Sequence, residues 1–191
     1  VLKRNNNENN PITFIDETFG KGLVYEYICD KCCEIVITES PFHILPIPIT
    51  GVKNTVEDFI NQYMNEFEFI KNCGKCGSQN IIKRKYFDEA PKILIINITY
   101  GEKPNVPIKF EEELELKESY FKTKSSHKYK LYGIVKYSSF NIYSDSGHYF
   151  SYVKADDTWI KINDDSIIQS NWNDVNETDT YPYLLFYERI I

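Results

Sequence analysis

Five cysteines and one histidine carry most of the chemistry this sequence offers. Cys29-Asp30-Lys31-Cys32 and Cys73-Gly74-Lys75-Cys76 are two C-x-x-C knuckles, each presenting two thiolates on a tight turn. Four sulfurs about 2.3 Å from one ion make a closed tetrahedral zinc site of the structural kind. Gly74 and Gly77 supply the backbone freedom such turns need. The alternatives are two disulfides or inert core thiols. No secretory pattern opens the sequence, which sits badly with disulfides, and C-x-x-C pairs more often do redox or metal chemistry. The expected ligands are therefore Cys29, Cys32, Cys73 and Cys76, holding structural Zn2+. The gap between the knuckles exceeds the roughly 15–20 residues of a compact ribbon, so a helical insertion must be looped out between them. Cys33 is left over. Nothing marks a helix N-terminus there, and thiolates beside it disfavour a further negative charge, so it reads as a buried or spare thiol.

The histidine is His148. Ser146-Gly147-His148-Tyr149-Phe150-Ser151-Tyr152-Val153 and Thr158-Trp159-Ile160-Lys161-Ile162-Asn163 are strand-like runs rich in aromatic and β-branched residues. They flank Lys154-Ala155-Asp156-Asp157, which reads as a hairpin. Pairing about the Ala155–Asp156 bond sets His148 opposite Asn163, and pairing about Asp156 sets it opposite Asp164. Opposed residues share a face with their Cβ atoms close together. Either register gives the imidazole a neighbour that accepts its Nδ1 hydrogen, the base-and-orienter half of a nucleophilic triad. A satisfied surface pair across a hairpin would look the same.

The elements that position these groups follow from the rest of the chain. Its 191 residues suit one domain, or one with a substructure, able to bury a substantial core. Charged residues at 26% and hydrophobic ones at 42% fit a soluble globular protein, and 15% aromatic content favours β-rich structure. No apolar run approaches a membrane span, and a net charge of -6 argues against phosphate-backbone binding. Neither membrane nor nucleic acid is an expected partner.

An Asn-rich tract at residues 5–10 has nothing to bury, so residues 1–13 are expected to be a disordered tail and 14–191 the folded part. A turn at Gly20-Lys21-Gly22 leads a strand into Cys29. The run Pro41 to Ile49, punctuated by prolines, suits an edge strand, with His43 packed or at the surface. Thr55-x-x-Asp58 resembles a capping box, and Val56, Phe59, Ile60, Tyr63 and Phe67 follow at helical spacing. Ile81 to Phe87 reads as a strand with a solvated basic face, and Pro91 to Ile98 as a strand buried on both faces. Phe110 to Leu116 reads as a short strand. Lys117 to Lys130 is polar and expected to be a mobile loop, with His127 a solvent-facing bystander. Tyr129 to Tyr137 and Tyr181 to Tyr187 complete the strands, and Ser138 to Ser146 forms the loop before His148.

Gly147-His148-Tyr149, followed by Trp159, Asn163 and Asp164 and closed by Tyr183-Leu184-Leu185-Phe186-Tyr187, resembles the histidine box of the ubiquitin-specific protease family. These are papain-like cysteine peptidases that cut ubiquitin from proteins. The resemblance spans Phe14 to Arg189 and rests on several motifs in order. It implies a β-rich α+β fold: an antiparallel palm sheet, a zinc-ribbon finger extension and one amphipathic helix. It implies His148 as general base, Asn163 as orienting partner and Asp164 as the polar residue that often follows. It also implies ubiquitin or ubiquitinated proteins as partners, and an intracellular location in cytoplasm or nucleus. The acidic balance suits ubiquitin's arginine-bearing tail. Two departures stand out. The family usually ends its central strand with Arg-Phe where this chain has Tyr100-Gly101, and carries His-x-Gly near Tyr137-Ser138-Ser139.

The family's cysteine box, a Gly-Asn-Thr-Cys-Tyr type segment opening a helix, has no counterpart here, nor has its oxyanion-hole Asn. The chain thus offers a base and an orienter without the thiolate they activate. One reading makes it the C-terminal portion of a longer peptidase, inactive alone, whose N-terminal thumb segment supplies the cysteine. The other makes it a non-catalytic ubiquitin-binding or scaffold module. The retained His148 and Asn163 favour the first.

Overall fold

The computed structural model describes residues 13–20, 22–40, 42–49, 54–65, 67–70, 72–100, 108–139 and 146–190. The Asn-rich tract, Gly101 and most of the loop before His148 lie outside these residues. The chain divides into two compact units, interleaved in sequence. The first comprises Val1–His43, Met64–Lys92 and Leu116–His127; the second comprises Ile44–Tyr63, Ile93–Glu115 and Lys128–Ile191.

The elements run α1 (Phe14–Phe19), β1 (Leu23–Cys29), β2 (Ile35–Ser40), β3 (Leu45–Ile49), α2 (Val56–Met64), β4 (Phe67–Ile70), β5 (Asn80–Phe87), β6 (Ile93–Tyr100), β7 (Glu113–Leu116), β8 (His127–Ser139), β9 (Gly147–Ala155), β10 (Thr158–Asn163), β11 (Ser166–Ser170), α3 (Trp172–Val175) and β12 (Tyr181–Arg189). The architecture is the expected β-rich α+β class.

The first unit is built on a four-stranded antiparallel sheet ordered β2-β1-β5-β4. Before it, Thr13 opens α1 with a capping box: its Oγ1 accepts from the Asp16 amide at 3.2 Å, and the Asp16 carboxylate accepts from the Thr13 amide at 2.9 Å. Gly20, at φ 83, closes that helix where a side chain would press on Pro91. The stretch 117–130 is not the loop its polarity suggested. Tyr120 and Phe121 are buried, a 3₁₀ turn covers Glu118–Tyr120, and Phe121 stacks on Phe87 at 5.5 Å. His127 packs edge-on against Phe121 at 4.7 Å and begins β8, so it is no bystander. Two aromatic anchors outweigh the polar residues around them.

The second unit holds an eight-stranded sheet whose main path is β11-β10-β9-β8-β12-β6-β3, with β7 pairing β8 off that path. All its paired strands on the path are antiparallel except β3 and β6, which run parallel. β3 is the edge strand its prolines predicted. β6 alternates rather than burying both faces: Leu94, Ile96 and Ile98 are buried, while Ile93, Ile95 and Asn97 are partly open. α2 starts where Thr55 accepts from the Asp58 amide at 3.1 Å, and it buries Val56, Phe59 and Ile60. Phe67, read as the end of that apolar face, lies instead in β4 of the other unit. The segment between the knuckles therefore holds three strands besides the helix, not a helical insertion alone.

Candidate active site and metal-ligand cluster

The hairpin that carries His148 turns later than either expected register, about the Asp156–Asp157 bond. Ala155 pairs with Thr158 and Ser151 with Ile162, so Asp156 and Asp157 alone form the loop, with Asp156 at φ 52. A two-residue hairpin loop of this kind needs positive φ, which Asp tolerates better than most residues. His148 is therefore directly opposite neither Asn163 nor Asp164. Asn163 lies on the diagonal, on the same face, and the two side chains still meet: His148 Nε2 and Asn163 Oδ1 are 2.5 Å apart. The contact uses Nε2, not the Nδ1 expected, because the far ring nitrogen is the one with the reach to span a diagonal. Nδ1 is left with no hydrogen-bond partner among the described residues.

A second Asp-Asp turn holds the partner. Asn163 pairs with Ser166 across Asp164-Asp165, and Asp164 takes φ 51. Its carboxylate lies 3.7 Å from His148 Nε2 while its side chain stays 78% exposed. On the other side of β9, Ser138 pairs with His148 and Ser139 with Gly147. A methyl group on Gly147 would overlap the Tyr137 ring and the Ser138 carbonyl, so only glycine lets the chain enter here. The arrangement is a partly exposed imidazole pinned at Nε2, with Nδ1 unpaired among the described residues.

On the opposite face of β9 lies a feature the sequence did not announce. Tyr149 packs at 4.9 Å from Tyr137 and 5.1 Å from Tyr183. With Tyr100 and Tyr181 they line a cleft of about 310 Å³. The Tyr100 hydroxyl donates to the Pro182 carbonyl at 2.8 Å, and burial pushes its ionisation far above the usual range. The cleft's residues come from four strands, β6, β8, β9 and β12, whose register composition does not supply.

In the first unit the four expected cysteines converge. Their sulfurs lie within 4.8 Å of one another, with Cys29–Cys76 and Cys32–Cys73 each at 3.6 Å. A disulfide is about 2.05 Å, so none of the four is bridged. Sulfurs around a tetrahedral zinc at about 2.3 Å would stand about 3.8 Å apart, close to these separations. The knuckles are copies of one turn. Cys33 N–H donates to Cys29 O at 3.0 Å and Gly77 N–H to Cys73 O at 2.9 Å; Cys29 N–H donates to Glu34 O at 3.0 Å and Cys73 N–H to Ser78 O at 2.7 Å. The Cys32 backbone amide is the main influence on Cys29, holding its thiol down to about 6 against the opposing effect of burial. The Glu34 amide pulls Cys32 down too, yet burial and the Cys76, Cys29 and Cys73 sulfurs together push it up to about 12. Four thiols this close do not all ionise without a cation, and the four sulfurs are positioned so that they could hold a metal ion.

A family profile described as Ubiquitin carboxyl-terminal hydrolase matches residues 2–187. The chain belongs to the ubiquitin carboxyl-terminal hydrolase family. Ubiquitin carboxyl-terminal hydrolase 16 of Arabidopsis thaliana is 30% identical over 191 residues, covering 93% of this chain and 18% of the relative. Probable ubiquitin carboxyl-terminal hydrolase 8 of Schizosaccharomyces pombe is 23% identical, over 91% of this chain and 38% of its own. The chain thus spans well under half the length of these relatives. Its fold matches a chain of the SAGA Ubp8/Sgf11/Sus1/Sgf73 DUB module bound to ubiquitin aldehyde, with a TM-score of 0.77, 23% identity, and coverage of 98% of this chain and 45% of that one.

Two further features of this ubiquitin carboxyl-terminal hydrolase family member lay beyond sequence reading. Cys33 is exposed at φ 55, the place Gly77 fills at φ 73 in the matching knuckle. It is a strained copy of a glycine position, not a buried thiol. Lys136 on β8 is a buried charged side chain whose Nζ donates to Val175 O at 3.0 Å and Glu177 O at 2.7 Å, closing the C-terminal end of α3. Burial lowers its pKa to about 8; Lys161 adds to that, while Glu177 and Asp179 oppose it.

Proposed function

We propose that this chain supplies the general base and its orienter to a thiol-dependent deubiquitinase that cleaves the bond after ubiquitin's C-terminal glycine. The observation that carries this is the division of labour on one imidazole: Nε2 meets Asn163 Oδ1, and Nδ1 faces no partner among the described residues. An amide oxygen at Nε2 fixes the hydrogen there, so the lone pair sits on Nδ1, the state a base needs. Nδ1 then takes the proton of a thiol, the thiolate attacks the glycine carbonyl carbon, and the imidazolium returns the proton to the departing lysine amine. Asp164, whose carboxylate lies 3.7 Å from Nε2, is the polar residue beside that base.

The nucleophile is proposed to come from outside these 191 residues. Four of the five cysteines share the cluster and the fifth is beside it, all in the unit that does not hold His148. Cys29, Cys32, Cys73 and Cys76 would hold Zn2+, which when bound fixes the two knuckles to each other and does no bond-making. Ubiquitin as the bound partner is carried over from the related module, which is bound to ubiquitin aldehyde. Expressing the full-length gene product and following a ubiquitin–fluorophore conjugate tests the proposal. Turnover that His148→Ala abolishes is expected; a folded full-length protein without turnover rules the reading out in favour of a binding or scaffold module.

A further inference from the structure

The two edges of the eight-stranded sheet are finished differently. At one edge β3 reads Leu45-Pro46-Ile47-Pro48-Ile49, with Leu45 and Ile47 buried and both prolines exposed. Proline lacks the amide a neighbouring strand would need, so that edge is closed to further pairing. At the other edge β11 reads Ser166-Ile167-Ile168-Gln169-Ser170 and pairs only with β10 among the described residues. It has no proline, no lysine and no bulge, and all five residues keep register with β10. Ile167 is 72% exposed and Ile168 56%. Consecutive strand residues point to opposite faces, so neither face of this edge is covered. An uncharged, isoleucine-bearing open edge is what strand-adding partners use.

Charge and direction say what fits. Asp164 and Asp165, both exposed, stand immediately before the strand, in a chain of net charge -6. β11 runs away from the turn that holds Asn163 and Asp164, so a strand added antiparallel to it runs toward that turn. Its C-terminal end emerges beside Asp164, whose carboxylate is 3.7 Å from His148 Nε2. We infer that β11 docks, by antiparallel strand addition, an extended segment of the ubiquitin-bearing protein, apolar at its centre and carrying Lys or Arg where it passes Asp164-Asp165. The segment would deliver a lysine to the base from the substrate side. This inference rests on the deubiquitinase reading above.

Two arms test it and keep the two readings apart. In full-length protein, Ile167→Lys/Ile168→Lys is expected to raise KM for a ubiquitin-bearing protein about tenfold or more, while ubiquitin–fluorophore hydrolysis, which has no such segment, stays unchanged. The milder Ile167→Thr/Ile168→Thr, which keeps β propensity, shifts KM in the same direction. Equal effects on both substrates, or none on either, overturn the inference. The second arm needs no turnover, so it decides the docking claim even where the deubiquitinase reading fails. A Thr-Val-Thr-Val-Thr-Lys-Lys peptide is added to the full-length protein and amide exchange is followed. Protection at residues 166–170, lost in Asp165→Lys and regained with a Glu-Glu-ended peptide, is the expected result. No protection at millimolar peptide, or protection indifferent to the charge at residue 165, contradicts it.

Discussion

In the cysteine cluster, the four sulfurs come from two turns of one local design, each folding four residues back on itself through the same pair of backbone hydrogen bonds. At the end of the larger sheet, His148 and Asn163 come from different strands and meet only on a diagonal, each held by an Asp-Asp turn with an Asp at positive φ. The cluster is symmetric and closed: four like groups whose mutual repulsion a cation would relieve. The histidine site is asymmetric, with one nitrogen committed and the other facing no partner among the described residues. A closed set of ligands contributes to stability and little else, whereas a base must keep one valence unspent.

Removing metal should separate the two sites most sharply. Structural zinc contributes on the order of 10 kcal/mol in small metal-bearing folds, so a strong chelator, or Cys73→Ser, should abolish amide protection at Cys33 and Gly77. Protection across β8, β9 and β10 should persist; hydrogen exchange reads both at once. Next in size, His148→Ala in the full-length protein should lower kcat by about 10²–10⁴-fold while leaving thermal unfolding nearly unchanged, measured with a ubiquitin conjugate and by calorimetry.

Lys136 sharpens the contrast from within the larger sheet. Its folded pKa near 8 lies below the ordinary value of 10.5. Between those values the unfolded chain keeps a proton that the folded chain has shed, so this group makes stability rise as pH rises. Lys136→Met removes that part of the rise while leaving two carbonyls short of a donor, a loss of about 1–3 kcal/mol. Urea midpoints should therefore show the wild type's advantage growing from pH 7.5 to 9.5; a constant gap contradicts the assignment. Smallest, Cys33→Gly should stabilise the metal-loaded knuckle by about 1 kcal/mol, seen as a higher melting temperature, because a glycine takes φ 55 without strain.

How much could be read in advance followed the same divide. The cysteine ligands were legible because C-x-x-C spacing is local chemistry, and their convergence needs only that both knuckles flank paired strands. The strands β1, β5, β6, β8 and β12 were legible from β-branched and aromatic runs. Register was not. Placing His148 against Asn163 required knowing that Asp156 and Asp157 alone make the turn, and one step in register changes which residue lies opposite. The tyrosine cleft joins residues up to 86 positions apart, Asn97 and Tyr183, and the Lys136 contacts reach 39 and 41 positions along the chain; no periodicity encodes that. The Thr13 capping box escaped notice because its helix is only six residues long. The stretch 117–130 misled because its polar composition hid Tyr120 and Phe121.

Whether His148 is oriented as a base turns on which of its imidazole nitrogens bears the hydrogen. Long-range proton–nitrogen NMR of ¹⁵N-histidine-labelled protein, above the titration of the ring, reads this directly. The neutral ring should show its hydrogen on Nε2, with Asn163→Ala collapsing that preference toward a mixture. A spectrum with the hydrogen on Nδ1, or one indifferent to Asn163→Ala, would mean that Asn163 does not orient the base.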